Sequence, residues 1–157
     1  QAMAGLRTRG LDRVLPTLKQ PLLGICLGMQ LLFEHSSEAS RIDAPDDSSA
    51  RSTDCLGILS GHVQRLPPSP SWPHMGWNQI VSDRAAHPLL DGLAANDWYY
   101  FVHGYAAQAD VSTIAYCDHG LRFSAAIARD NVHGTQFHPE KSAVAGRRLL
   151  SNFLSLT

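Results

Sequence analysis

Cys26 stands in the stretch Gly24-Ile25-Cys26-Leu27-Gly28-Met29-Gln30, and far downstream the chain reads Gly134-Thr135-Gln136-Phe137-His138-Pro139-Glu140-Lys141. These residues could form a nucleophile with its base and acid. A thiol needs a base to take its proton and return it to a leaving group, and the base needs a third group to hold its ring tautomer and orientation. With Pro139 fixing the backbone between them, His138 and Glu140 can point the same way, giving Glu140 a path to the far ring nitrogen. Each half alone is weak: a lone cysteine is more often a small buried hydrophobe, and His-x-Glu occurs in ordinary loops with a solvated glutamate. The combination is specific.

The elements around Cys26 fit that role. Pro21 to Ile25 is short, apolar and broken by glycine, as expected of a buried parallel strand, and Leu27 to His35 has the spacing of a helix face at Leu31, Leu32 and His35. Cys26 is then expected at a strand-to-helix turn, with Gly24 and Gly28 sparing the tightly turning backbone a collision. Unpaired N–H groups at the start of that helix would favour thiolate over thiol.

Before this strand, Met3, Leu6, Val14, Leu15 and Leu18 fit an amphipathic helix. Ser36 to Asp54 is rich in Ser, Asp and Glu and reads as a surface insertion. Strands are expected at Gly61 to Leu66, Gly76 to Ser82, Trp98 to Tyr105, Ile114 to Tyr116, Phe123 to Ala128 and Val132 to Phe137. Pro67 to Pro70 forces a turn or extended segment, and Pro88 to Leu93 a short helix or turn. Asp118-His119-Gly120 and Asp130-Asn131 mark turns. Ser142 is positioned to cap a last helix that buries Leu149, Leu150, Phe153 and Leu154. Helices alternate with strands early and antiparallel strands dominate late, which implies an α/β sandwich with a mixed sheet.

Composition limits the alternatives without selecting among them. A length of 157 residues suits one domain, 1–157, and 44% hydrophobic residues suffice for a core. A net charge of −1 with eight scattered histidines provides no basic stripe for nucleic acid. No apolar run has the length of a membrane span, and no signal peptide is visible. Cys26, Cys55 and Cys117 are an odd set without a framework spacing, which favours a reducing cytoplasm. Cys117-Asp118-His119 falls short of a zinc site, so no metal and no cofactor are expected.

The two motifs together resemble the class I, triad-type glutamine amidotransferases, and more narrowly the glutaminase subunits of imidazole glycerol phosphate synthase in histidine biosynthesis. Gly-Met-Gln followed by Leu-Leu-Phe, the segment Pro73-His74-Met75-Gly76-Trp77-Asn78 and the run Tyr99-Tyr100-Phe101-Val102-His103-Gly104-Tyr105 carry the narrower resemblance. It covers nearly the whole chain. It implies a three-layer α/β sandwich with a mixed, largely parallel central sheet. It also implies that Cys26 attacks the carboxamide carbon of glutamine, His138 manages the protons and Glu140 orients His138. The Leu27 N–H would be an oxyanion donor, Gln30 a contact to substrate glutamine, and the backbone at Gly104 and Tyr105 the segment that recognises its amino-acid head.

By the same resemblance, Trp77, Asn78, Tyr100 and Lys141 lie near the junction with a partner, a β/α-barrel cyclase subunit that receives the ammonia. Isolated aromatics such as Trp77 and Tyr100 are otherwise more often core residues. His103 reads as a core histidine bonded to backbone, without a catalytic role. The Pro-Gly-x-Gly loop that gives the second oxyanion donor in the family is not found in the sequence, which is therefore expected to be an amidotransferase subunit truncated at its amino end, its first strands missing. The alternatives are a glutaminase subunit serving anthranilate, guanylate or pyridoxal phosphate synthesis, and a catalytically silent binding subunit.

Overall fold

The structure, a computed structural model, describes residues 1–38, 52–68, 72–82 and 87–156. The chain opens with helix α1 (Ala2–Thr8), which stops before Gly10 in a left-handed conformation at φ 68°. A four-residue helix α2 (Leu11–Val14) and a 3-10 turn at Leu15–Thr17 follow. The amphipathic helix expected through Leu18 is thus broken, by a glycine whose φ a helix cannot use and by Pro16, which lacks an N–H. Of its five apolar positions only Met3 is buried.

Strand β1 (Leu22–Ile25) runs into Cys26 and helix α3 (Leu27–Gln30). This helix is shorter than the one expected to His35. The cause is tertiary: the N–H groups of Cys55, Leu56, Gly57 and Leu59 take the carbonyls of Glu34, Leu31, Phe33 and Leu32 at 2.8–3.0 Å, carbonyls that a longer helix would use for itself. The turn also buries the consecutive side chains of Leu32 and Phe33.

The remaining strands are β2 (His35–Ser36), β3 (Thr53–Asp54), β4 (His62–Arg65), β5 (His74–Asn78), β6 (Tyr99–His103), β7 (Tyr105–Ala107), β8 (Thr113–Asp118), β9 (Arg122–Arg129) and β10 (Val132–Thr135). A first sheet has the order β1-β10-β9-β8, a second β3-β2-β4-β7, and β5 pairs with β6. β1 is parallel to β10 and β2 to β4, while the other pairs are antiparallel, so the architecture is mixed α/β. Most of the expected surface insertion, 39–51, lies outside the described residues, as do 69–70 of the proline-rich turn.

The expected strand at Trp98 to Tyr105 is two strands. The chain changes sheets at Gly104, β6 pairing with β5 and β7 with β4. β5 begins and ends earlier than expected, leaving Val81 in an isolated bridge to Tyr116. β10 ends at Thr135, two residues before the expected Phe137. Helix α4 (Ala143–Leu154) buries Ala145, Gly146 and Leu149, with Phe153 partly covered; Leu154, expected to face the core, is 79% exposed because it lies beyond the edge of that stripe. One apolar cluster joins Tyr99, Phe101, Phe123 and Phe137 to Leu149 of α4. A second joins Met29 and Phe33 to Val63, Ile127 and Val132.

Candidate active site

The parallel pairing of β1 with β10 builds the site. Ile25 lies opposite Thr135, and the Cys26 N–H donates to the Thr135 carbonyl at 2.7 Å. The two strands therefore deliver Cys26 and the Gln136–His138 segment to the same carboxyl end of the sheet, where open α/β folds place their ligands. Cys26 has φ 50° and ψ −109°, a backbone conformation that side-chain-bearing residues seldom adopt and that thrusts Sγ out of the turn. Gly24 is required there: a Cβ would come within 2.7 Å of the Gly28 carbonyl and the Met29 nitrogen. Gly28, expected to be needed for the same reason, has no atom within 4 Å of such a Cβ, so the turn itself does not demand it.

Partial burial pushes the Cys26 thiol above its ordinary pKa, and the carboxylates of Glu38 and Glu140 add to the rise. The Leu27 N–H and the Gln136 amide oppose it without reversing it. The helix that was expected to favour thiolate is only one turn long, and desolvation wins. Sγ donates to the Val102 carbonyl at 3.9 Å and receives Gln136 Nε2 at 3.8 Å.

His138 Nδ1 lies 2.6 Å from Glu140 Oε1, the pairing expected from the motif. Pro139–Lys141 forms a 3-10 turn that lets the two side chains meet. The backbone of His138 is clamped to β6, its N–H donating to the Tyr100 carbonyl at 2.9 Å. Ser142 completes the clamp and caps nothing: its hydroxyl donates to the His138 carbonyl at 2.6 Å, accepts the Tyr100 N–H at 3.0 Å, and is thereby withdrawn from the helix end. α4 sits tight beneath this turn, since a Cβ on Gly146 would collide with the Pro139 carbonyl. Among the described residues, no hydrogen bond joins Cys26 to His138.

Gln30 is buried one turn past Cys26 and donates from Nε2 to the Tyr105 carbonyl at 2.8 Å and to Gln136 Oε1 at 3.1 Å. The Gly104 carbonyl accepts the Leu66 N–H at 2.9 Å and Trp72 Nε1 at 3.4 Å. Tyr105 is thus joined to Cys26 through Gln30 and Gln136, while Gly104 is held from the other side by Leu66 and Trp72. Such an arrangement can hold a thiol, a base and an acid around an amide or ester carbon.

The family model described as "Glutamine amidotransferase class-I" matches residues 8–156. The chain belongs to the class-I glutamine amidotransferase family. It is 47% identical over 159 residues to the imidazole glycerol phosphate synthase subunit HisH of Xanthomonas euvesicatoria pv. vesicatoria, covering 100% of this chain and 73% of that protein. It is 48% identical over 158 residues to the protein of the same name in Xylella fastidiosa strain Temecula1, covering 99% of this chain and 72% of the relative. Among solved structures, a putative GMP synthase protein of Thermoplasma acidophilum has a TM-score of 0.63 at 16% identity, and a glutamine amidotransferase has 0.63 at 18%. These likenesses show the fold; the chain spans 61% of the first and 70% of the second, and covers 92% and 96% of itself.

Of the four residues expected at a partner junction, this amidotransferase chain brings Trp77, Tyr100 and Lys141 together and turns Asn78 to the opposite face of β5. Trp77 lies opposite Tyr100 on β5 and β6, their rings edge to face with centroids 5.9 Å apart, and Lys141 Nζ is 5.8 Å from the Tyr100 ring centre. Trp77 is 51% exposed, with Met75 exposed on the same face of β5, so the core packing expected of an isolated aromatic does not hold for it. Asn78 points the other way and bonds to His74.

Two residues of this amidotransferase site carry no signal strong enough to assign them from sequence. Gln136 stands inside its motif without a role of its own, and its place two residues before His138 on a buried segment is the available hint. Glu38 falls in the Ser-rich stretch that reads as surface; its charge reaches Cys26, and burial raises its own pKa.

Proposed function

We propose that this chain is the glutaminase subunit of an imidazole glycerol phosphate synthase, hydrolysing glutamine to glutamate and ammonia and delivering the ammonia to a cyclase for histidine biosynthesis. The observation that carries this reading is the strained Cys26 elbow at the carboxyl end of β1, with the His138–Glu140 pair on the adjacent parallel strand's continuation.

In this reading Cys26 Sγ attacks the carboxamide carbon of glutamine. The carbonyl oxygen becomes an oxyanion that the Leu27 N–H receives. His138 takes the thiol proton and returns it to the departing nitrogen as ammonia leaves, and a glutamyl thioester remains on Cys26. His138 then takes a proton from water as the water attacks the thioester, and glutamate departs while the thiol is restored. Glu140 holds the ring through Nδ1, leaving Nε2 for the chemistry. The Gly104–Tyr105 backbone and Gln30 bind the amino-acid end.

The partner is a β/α-barrel cyclase docking over Trp77, Tyr100 and Lys141, with Asn78 behind them on the other face of β5. Exposed apolar surface around Trp77 and Met75, next to the Glu140 turn, supports that placement. A thiol kept protonated and bonded to the Val102 carbonyl supports activity gated by the partner. No described helix is long and apolar enough to cross a membrane. We place the complex in the cytoplasm on the three cysteines, which are all free thiols.

The test is Cys26→Ser in the full-length protein in complex with its cyclase. Glutamine-dependent synthesis is expected to vanish while synthesis from ammonium salts stays near the wild-type rate. Loss of both would make Cys26 a structural residue and overturn the assignment.

A further inference from the structure

Beneath the site lies a pair of buried histidines. His74 on β5 and His103 on β6 are register partners, 3% and 6% exposed, with His74 Nδ1 and His103 Nε2 3.0 Å apart. His74 is stacked between Phe101, at 4.5 Å, and His119, at 4.0 Å. Burial is the main cause that pushes His74 down to about 3 and His103 to about 4, so both rings are neutral near pH 7 and each carries a single N–H.

The bonding pattern then fixes where each proton sits. His103 Nδ1 lies 2.8 Å from the Tyr105 carbonyl, which can only accept, so Nδ1 carries the proton and Nε2 is bare. His74 Nδ1 must donate to that bare nitrogen. His74 Nε2 is then an acceptor, and Asn78 Nδ2 supplies its donor at 3.3 Å. Asn78 is itself oriented by donating to the Asp118 carbonyl at 3.4 Å and accepting the Gln79 N–H at its Oδ1 at 2.8 Å. Beyond the histidines, the Tyr105 carbonyl takes its second donor from Gln30, which continues through Gln136 to Cys26 Sγ.

We propose that His74 and His103 are positioning residues whose locked tautomers hold the Tyr105 carbonyl, and through it Gln30 and Gln136, in a hydrogen-bonded line that runs from Asn78 of β5 to the glutamine site. In a neutral imidazole, protonating one nitrogen bares the other, so the pair has one consistent pattern, and the partner of one nitrogen decides the state of the next. Withdrawing the Asn78 donor leaves His74 Nε2 unpaired and removes one of the two contacts that favour a proton on Nδ1, the other being the bare Nε2 of His103; were the His74 proton to move to Nε2, the pattern would break. The bare Nδ1 of His74 would then face the bare Nε2 of His103, and His103 could relieve this only by turning a bare Nδ1 on the Tyr105 carbonyl. The role rests on the glutaminase reading for its effect on catalysis, but not for its proton positions.

The experiment uses the full-length protein in complex with its cyclase. Long-range proton–nitrogen correlation of the imidazoles is expected to show both histidines in the Nδ1–H form, and His103 to keep that form in His74→Leu because the Tyr105 carbonyl still accepts from its Nδ1. His103→Leu is expected to raise KM for glutamine about 10-fold, the scale of one lost buried hydrogen bond, with kcat within about threefold. His103→Asn, whose amide nitrogen replaces the Nδ1 donor, is expected to recover most of that loss. An Nε2–H or averaged His103 in the wild type overturns the relay, as does an equal loss in the Leu and Asn variants. Wild-type protein that shows the tautomers yet hydrolyses no glutamine would leave the relay standing and remove the glutaminase reading.

Discussion

Ser142 joins His138 to Tyr100: its hydroxyl donates to the carbonyl of one at 2.6 Å and accepts the N–H of the other at 3.0 Å. A candidate catalytic base and a residue of the exposed aromatic face therefore share one buried side chain. Ser142→Ala leaves the Tyr100 N–H without a partner, which costs about 1–3 kcal/mol. Chemical denaturation should report that loss, and glutaminase assays should show a lower kcat with KM little changed, since His138 is displaced while the amino-acid end of the site is not.

His138→Ala removes the candidate base, whereas Glu140→Gln removes the charge that orients it. The first should lower kcat by about 10⁴-fold or more, and the second by one to two decades less, as for other triads in which the orienting residue is the mildest loss. Steady-state rates of glutamate release on the assembled complex decide the order.

Alkylation offers a direct view of the thiols. Burial raises the pKa of Cys26 and drives that of Cys117 up to about 12. The thiolate fraction, and with it the iodoacetamide rate at Cys26, should keep climbing above the range of an ordinary thiol, while Cys117 stays unmodified in the folded protein. Peptide mass spectrometry across a pH series measures both.

Acid should destabilise the fold through the buried histidines. His74 and His103 have folded pKa values near 3 and 4, below the ordinary 6.5, so between about 4 and 6.5 the unfolded chain binds protons that the folded one refuses. Unfolding free energy is then largest above pH 6.5 and falls as pH drops, with a slope approaching about 2.7 kcal/mol per pH unit from two protons. Urea titrations at several pH values should show that slope, and His103→Asn should halve it.

The signals legible in the sequence are those that need only neighbours along the chain. The glycine before Cys26, the apolar run of β1, the hairpin turn at Asp118 to Gly120 and the His138-Pro139-Glu140 turn each declare themselves within a few residues. What escapes is decided across the fold. The change of sheet at Gly104 depends on β4 and β5, far away in sequence, so Trp98 to Tyr105 reads as one strand. The early stop of α3 depends on N–H groups from residues 55–59, and the Ser142 hydroxyl leaves its cap for the Tyr100 N–H and the His138 carbonyl. Gln136 looks like any buried polar residue in a strand until Gln30 and Cys26 are placed beside it.

The backbone of Cys26 carries a broader consequence. A residue held at φ 50° and ψ −109° is strained by about 1–3 kcal/mol unless it is glycine. Replacing the nucleophile by glycine should therefore yield a dead protein that melts at a higher temperature than the working one. At this position the chemistry and the thermodynamics of the chain pull in opposite directions, and drift toward a more durable molecule would begin by erasing its reactive sulfur.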